Sequence, residues 1–212
     1  DFQTGVAGIM VDKKTGKNAI NVISGAPSTL TIPEVDKYIN TIKNSKIFLT
    51  QLEVPKDVTL HCLKVAKENG VITILNPAPA VEISKEFFKH IDYFTPNETE
   101  AEFYTGVKIY NEKQAREASI KLLNLGLKKV IITLGEKGLY YFDGNENIYL
   151  KARSLKAIDT TGAGDAFNGG LAYALSQNKS IKDALNLANQ VAGLSTLKLG
   201  AGNAMPMFKD LS

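Results

Sequence analysis

The stretch "DTTGAGDAFNGGLAYAL", residues 159–175, decides the reading of this chain. Glycines and small residues surround Asp165, and Phe167, Leu171, Ala174 and Leu175 then recur as the apolar stripe of a helix. The first turn of a helix offers unpaired backbone N–H groups and the positive end of the dipole, a ready anion site. Gly162, Ala163 and Gly164 let such amides approach an anion without a bulky side chain in the way. Two familiar glycine motifs do not fit. The dinucleotide fingerprint needs glycine at 167, where Phe stands, and the Walker pattern needs lysine after Gly169, where Gly170 stands. Asp165 keeps two readings at this point. It is an N-cap or first-turn carboxylate that steadies its own helix by about 1 kcal/mol. Or it is a base that takes the proton of an alcohol while the amides hold a phosphoryl group.

Working outward, short runs rich in β-branched and aromatic residues alternate with helical patterns. The runs are "KIFLT" (46–50), "VITIL" (71–75), "IDYFT" (91–95) and "KVIITL" (129–134). Helices are expected over 55–69, about 84–90, 97–105 and 111–125, and at the carboxyl end over roughly 164–177 and 181–198. Strands with little alternation are buried on both faces, and alternation with helices implies a parallel sheet. "GVAGIMVD" and "NAINVI" form an opening hairpin about a turn containing Gly16; "GLYYFDGNENIYLK" (138–151) forms a second. Glu53, Asn76, Asn97 and Gly135 follow the four strands in turn, and so mark one face at their carboxyl ends, where α/β sheets bind ligands.

Composition narrows the classes. The 212 residues carry a formal charge of +3 from scattered lysines, without a basic block for nucleic acid or an anionic membrane surface, and no apolar run suits a membrane span. A lone cysteine, Cys62, excludes an internal disulfide, fits a reducing cytoplasmic setting and reads as a core residue. His61 and His90 lack cysteine partners for zinc. The opening "DFQTG", without an initiator methionine or a targeting signature, reads as a cut from a longer chain. Residues 1–212 read as one α/β domain.

With these residues in view, "DTTGAGDAFNGGL" resembles the signature of the ribokinase-like carbohydrate kinases, a family that includes fructokinases and adenosine kinases. "QLE" (51–53), "NPAPA" (76–80), "TPNETEAE" (95–102), "ITLGEKG" (132–138) and "KLGAGNAMP" (198–206) follow in the family's order, so the resemblance spans the chain. It implies a three-layer α/β/α fold with a mainly parallel sheet. Residues 1–25 then form the remnant of a β lid, and roughly the first hundred residues of the family are missing. It implies ATP-dependent phosphorylation of a sugar, D-ribose at its 5-hydroxyl before fructose or a nucleoside. Asp165 is then the base, Gly162 to Gly164 the anion hole and Glu53 a ligand of sugar hydroxyls. Asn97, Thr133, Leu134, Gly135, Glu136, Lys137, Gly138, Gly164 and Asn189 meet the nucleotide. Glu100 places Mg²⁺ through water, and Asp159, Thr161, Ser195, Lys198, Gly200 and Ala204 surround K⁺; Ala204 departs from the serine many relatives carry. A dimer formed through the lid is also implied. By local pattern alone, Thr95, Pro96 and Glu98 make a capping box that leaves Asn97 and Glu100 over for chemistry.

Two other classes fit the residues less well. A nicotinamide-dependent oxidoreductase lacks its glycine fingerprint. A non-catalytic nucleotide-binding module is opposed by Asp165, Asn97 and Glu100, although the isolated fragment is expected to bind adenine nucleotide weakly and not to phosphorylate ribose.

Overall fold

The apolar runs become the strands of one sheet in a computed structural model that describes residues 2–211. In chain order the elements begin with β1 (Val6–Val11), β2 (Asn18–Ile23), α1 (Ile32–Asp36), α2 (Ile39–Lys43), β3 (Ile47–Thr50) and α3 (Lys56–Glu68). β4 (Ile72–Leu75), α4 (Lys85–Phe88), β5 (Tyr93–Phe94), α5 (Glu98–Thr105), α6 (Glu112–Asn124) and β6 (Val130–Thr133) follow. The chain ends through β7 (Leu139–Phe142), β8 (Asn147–Leu150), α7 (Ala163–Ser176) and α8 (Ile181–Ser195). The six-stranded sheet has the order β3-β4-β5-β6-β7-β8, parallel from β3 to β6, with β7 antiparallel to β6. β1 and β2 make a separate antiparallel pair, with Val6 opposite Ile23 and Val11 opposite Asn18. This is the α/β architecture that the resemblance implies: a mainly parallel six-stranded sheet with helices, plus a small two-stranded sheet.

Two compact units divide the chain. The first holds residues 24–134 and 139–149 with the residues up to Thr4; the second holds Gly5–Ile23, Gly135–Gly138 and the chain from Leu150 on. In the first unit Leu75, Phe94, Val130, Ile132 and Tyr140 are buried in the strands. Ala101 of α5 and Ala115, Ala118 and Leu122 of α6 close over that core. Each large apolar side chain so buried stabilises the fold by about 1.5–3 kcal/mol. Phe94 meets Phe88 and Tyr104 edge to face, which fixes their rings within the same core. In the second unit α7 packs on α8 through small residues: a Cβ on Gly170 would stand 3.0 Å from Ala188 Cα. Cys62 is buried within α3, as read from its spacing, and burial raises its thiol pKa.

Some expectations are corrected. β3 is not buried on both faces: Leu49 is exposed, because β3 stands at the sheet edge with β4 alone beside it. α8 stops at Ser195, three residues short of the expected 198, and Lys198 lies beyond it. α1 and α2 were not anticipated. Each has five residues, too few to show a period, although Thr31 and Glu34 carry a start signal that is used: Thr31 N–H donates to Glu34 Oε2 at 2.9 Å.

Candidate active site

In the first unit, hydrogen bonds lace the carboxyl ends of the parallel strands together. Gln51 Nε2 donates to Asn76 Oδ1 at 3.0 Å, and Asn76 Nδ2 donates to Thr95 O at 2.9 Å. Asn97 forms a parallel bridge with Thr133, whose N–H donates to Pro96 O at 3.0 Å. Glu53 follows β3 and is exposed, while the adjacent Leu52 is buried and donates its N–H to Ala78 O at 2.9 Å. The face read from the residues after each strand is therefore a connected one from Gln51 to Thr133.

The helix that follows starts differently from the local expectation. Asn97, not Thr95, is the N-cap of α5, and its partner three residues on is Glu100, not Glu98. Thr95 is buried and still strand-like, with its N–H donated to Leu75 O at 3.0 Å, so the helix cannot begin there. Asn97 Oδ1 accepts from Glu100 N at 2.8 Å; Asn97 N donates to Glu100 Oε2 at 2.8 Å and Asn97 Nδ2 to Glu100 Oε1 at 2.9 Å. Glu100 is only 8% exposed, and burial pushes its carboxyl up to about 7, with the Asn97 amide pulling the other way. Each Glu100 oxygen accepts one Asn97 donor and keeps a further lone pair for a water molecule. The residues fit a Mg²⁺ held through water.

In the second unit the loop before α7 has the features of an anion site. Gly162 is the N-cap of α7 with φ 76° and ψ 6°, a left-handed conformation that strains other residues. It is also crowded, since a Cβ there would lie 3.2 Å from both Ala201 Cβ and Met205 Cε. The N-cap of α7, being glycine, supplies no capping side chain. The Ala163 amide donates to Thr160 O at 3.2 Å, so of the three expected anion-hole residues Gly162 and Gly164 keep amides not engaged in that turn. Asp165 is the third residue of α7 and exposed, in the first turn where the dipole favours a carboxylate.

Behind this loop lies Asp159, 2% exposed, whose Oδ1 accepts from Thr161 N and Oδ2 from Gly200 N, both at 2.9 Å. The Thr161 side chain, followed by the Gly200 and Thr161 amides, holds the Asp159 carboxyl below its usual range. The Thr161 hydroxyl is itself outside hydrogen-bond geometry, a buried polar atom with no partner among the described residues. An unsatisfied buried oxygen beside a buried carboxylate fits a monovalent cation. Asp159, Thr161 and Gly200 are joined directly. Ser195 is buried nearby in sequence at the end of α8, with its hydroxyl donated to Ala192 O at 2.8 Å. Lys198 is exposed, and Ala204 is buried in a single 3₁₀ turn.

The remaining nucleotide calls fall along one loop and one helix. Thr133 ends β6 half-buried, Leu134 is buried, and Gly135, Glu136 and Lys137 form an exposed 3₁₀ turn. Gly138 has φ 107°, and a Cβ there would collide with Leu150 O at 1.9 Å, so this turn requires glycine. Asn189 projects from α8 to donate its Nδ2 to Lys151 O at 2.9 Å. Sequence reasoning missed Gln51, Asn18 and Thr160. The last two meet across 142 residues, Asn18 Nδ2 donating to Thr160 Oγ1 at 3.1 Å, and no local pattern signals such a pair. Among the described residues no helix is long and apolar enough to cross a membrane.

A carboxylate in the first turn of a glycine-mouthed helix, within this α/β fold, suits phosphoryl transfer. The chain belongs to the pfkB family of carbohydrate kinases, whose profile matches residues 1–207. It is 40% identical over 207 residues to the ribokinase of Haemophilus influenzae, covering 98% of this chain and 67% of that protein. To the ribokinase of Staphylococcus aureus it is 36% identical over 213 residues, covering 100% of this chain and 70% of that one. The structure of Arabidopsis thaliana ribokinase complexed with ribose and ATP matches with a TM-score of 0.91 at 32% identity, over 100% of this chain and 69% of that chain.

Proposed function

We propose that the protein is an ATP-dependent ribokinase that transfers the γ-phosphoryl group of ATP to the 5-hydroxyl of D-ribose. Asp165 carries the reading: it is the acidic residue in the first turn of α7, at a helix mouth whose N-cap is glycine. Asp165 takes the hydroxyl proton as the sugar oxygen attacks phosphorus, the bond from phosphorus to the β-phosphate oxygen breaks, and ADP leaves. The Gly162 to Gly164 segment holds the oxygens of the transferring group, a task for which backbone N–H groups need no reorganisation. Glu53 binds sugar hydroxyls. Asn97 and the 133–138 loop bind the nucleotide, with Asn189 near its base. Glu100 would hold Mg²⁺ through water, which would neutralise charge on the phosphates, and Asp159, Thr161, Ser195, Lys198, Gly200 and Ala204 would hold K⁺ beside the anion-hole loop.

The choice of ribose is supported by the two ribokinases at 36% and 40% identity. We read the β1–β2 pair as a lid and as the surface through which the parent dimerises. Its exposed apolar side chains Val6, Met10 and Ile23 support that reading. The cytoplasm is the setting we assign. Side-by-side turnover of ribose, deoxyribose, fructose and adenosine by the full-length enzyme tests the substrate. A kcat/KM for any of the other three above that for ribose would overturn the assignment.

A further inference from the structure

The opening hairpin is exposed along almost its whole length, yet Gly16 in its turn is buried. The cause is a contact with the segment just before the anion-hole loop. Thr160 N and Thr160 Oγ1 both donate to Gly16 O at 3.0 Å, and Asn18 Nδ2 donates to Thr160 Oγ1 at 3.1 Å. A Cβ on Gly16 would lie 3.2 Å from the backbone of Ala157 and Ile158, so the two segments approach backbone to backbone. Consistent with this, the hairpin shares a compact unit with the chain from Leu150 on.

Thr160 also meets the machinery on its other side. Its carbonyl accepts the Ala163 amide at 3.2 Å, and it lies between Asp159 and Thr161, which are bonded to each other. One residue thus holds the hairpin turn with its amide and hydroxyl, and the mouth of α7 with its carbonyl. The hydroxyl acts both as donor to Gly16 and as acceptor from Asn18.

We propose that Thr160 is a positioning residue that locks the β1–β2 turn, read above as a lid, to the anion-hole loop and so sets the phosphate-holding amides. The proposal rests on the ribokinase reading above. It acts through geometry: small misplacement of a phosphoryl group lowers the rate of transfer steeply, while nucleotide binding through other contacts is spared. It also implies a linkage. Ribose and nucleotide each change the affinity of the other by one common factor, and Thr160 carries part of that factor.

The test uses the full-length enzyme with Thr160→Val, which keeps shape and the main-chain bond but removes the hydroxyl, and Thr160→Ser, which restores it. Asn18→Ala removes the second bond from an exposed hairpin and leaves the core untouched. Loss of two hydrogen bonds predicts a fall in kcat of about tenfold for Thr160→Val, and a smaller one for Asn18→Ala. KM for ATP should stay within about twofold, and Thr160→Ser should recover most of the rate. Calorimetric titration of a non-hydrolysable ATP analogue with and without ribose should show the wild-type affinity change shrinking in both Thr160→Val and Asn18→Ala. Undiminished linkage in both variants would overturn the proposal, as would a Thr160→Ser variant no better than Thr160→Val. A wild-type enzyme inactive on ribose would instead remove the ribokinase reading, while linkage measured with its true acceptor would still judge the role of Thr160.

Discussion

Glu100→Gln offers a quantitative probe of the capped carboxylate at the start of α5. The native carboxyl titrates at about 7 because it is buried, against 4.5 for the free side chain. Between these values the native state holds a proton that the unfolded chain has released. Stability therefore falls as pH rises from 4.5 towards 7 and is level above it. The difference, 7 − 4.5, amounts to about 3 kcal/mol at 1.36 kcal/mol for each unit. Glutamine cannot ionise, so the variant should lose this slope. Its single carbonyl can accept from Asn97 N or Asn97 Nδ2 but not both, a cost of about 1 kcal/mol. The variant should thus be less stable than wild type at pH near 5 and more stable by about 2 kcal/mol near 8. Urea unfolding of both proteins at the two pH values measures the crossover, and carbon NMR of the carboxyl group reads its titration directly. Mg²⁺ with nucleotide should lower that titration, since a nearby cation favours the charged form. Parallel pH profiles for the two proteins, or a wild-type carboxyl titrating near the free value, would refute the reasoning.

Three further outcomes are expected. Asp165→Asn in the full-length enzyme should leave nucleotide binding intact and lower kcat by about 10²–10⁴-fold; near-normal turnover at saturating sugar would dismiss Asp165 as the base. Thr161→Val removes the buried hydroxyl beside Asp159, so the Asp159 carboxyl should titrate closer to its usual range, read by carbon NMR of the carboxyl group. The same change should abolish the preference of the full-length enzyme for K⁺ over a bulky organic cation at equal ionic strength. Gly138→Ala must move the backbone at Leu150, where the new Cβ would lie at 1.9 Å, in addition to straining φ. A loss of about 3–5 kcal/mol in chemical denaturation is expected, and a loss below about 1 kcal/mol would mean that the turn yields easily.

Much of the fold was legible because its strands are apolar on both faces and its helices carry clear periods. β4, β6 and α6 were read within a residue or two of their ends. β3 misled because an edge strand and a central strand differ in neighbours, and composition alone does not name neighbours. The glycine loop before α7 was readable since small residues in succession leave few physical alternatives. The cap of α5 was not, although its span over 97–105 was: two overlapping capping patterns, Thr95 with Glu98 and Asn97 with Glu100, differ only in how far the strand continues. The bridge between Asn97 and Thr133 settles it in favour of the later start, and that bridge depends on sheet pairing distant in sequence. The same limit hid Thr160, whose partners Gly16 and Asn18 come from the far end of the chain.

The bare start of α7 has a consequence for how the molecule breathes. α5, α6 and α8 each begin on a side chain that accepts from the first turn, Asn97, Asn111 and Ser180 respectively, whereas α7 begins on Gly162 with none. First-turn amides that no N-cap side chain holds open readily, independently of global unfolding, and trade their protons with solvent through such local fraying. In heavy water the opening amides of α7 should therefore take up deuterium sooner than those of the other three helices. An anion seated on them should slow that uptake selectively. Peptide-level mass spectrometry could then follow occupancy of this helix mouth in the resting protein, without any turnover at all.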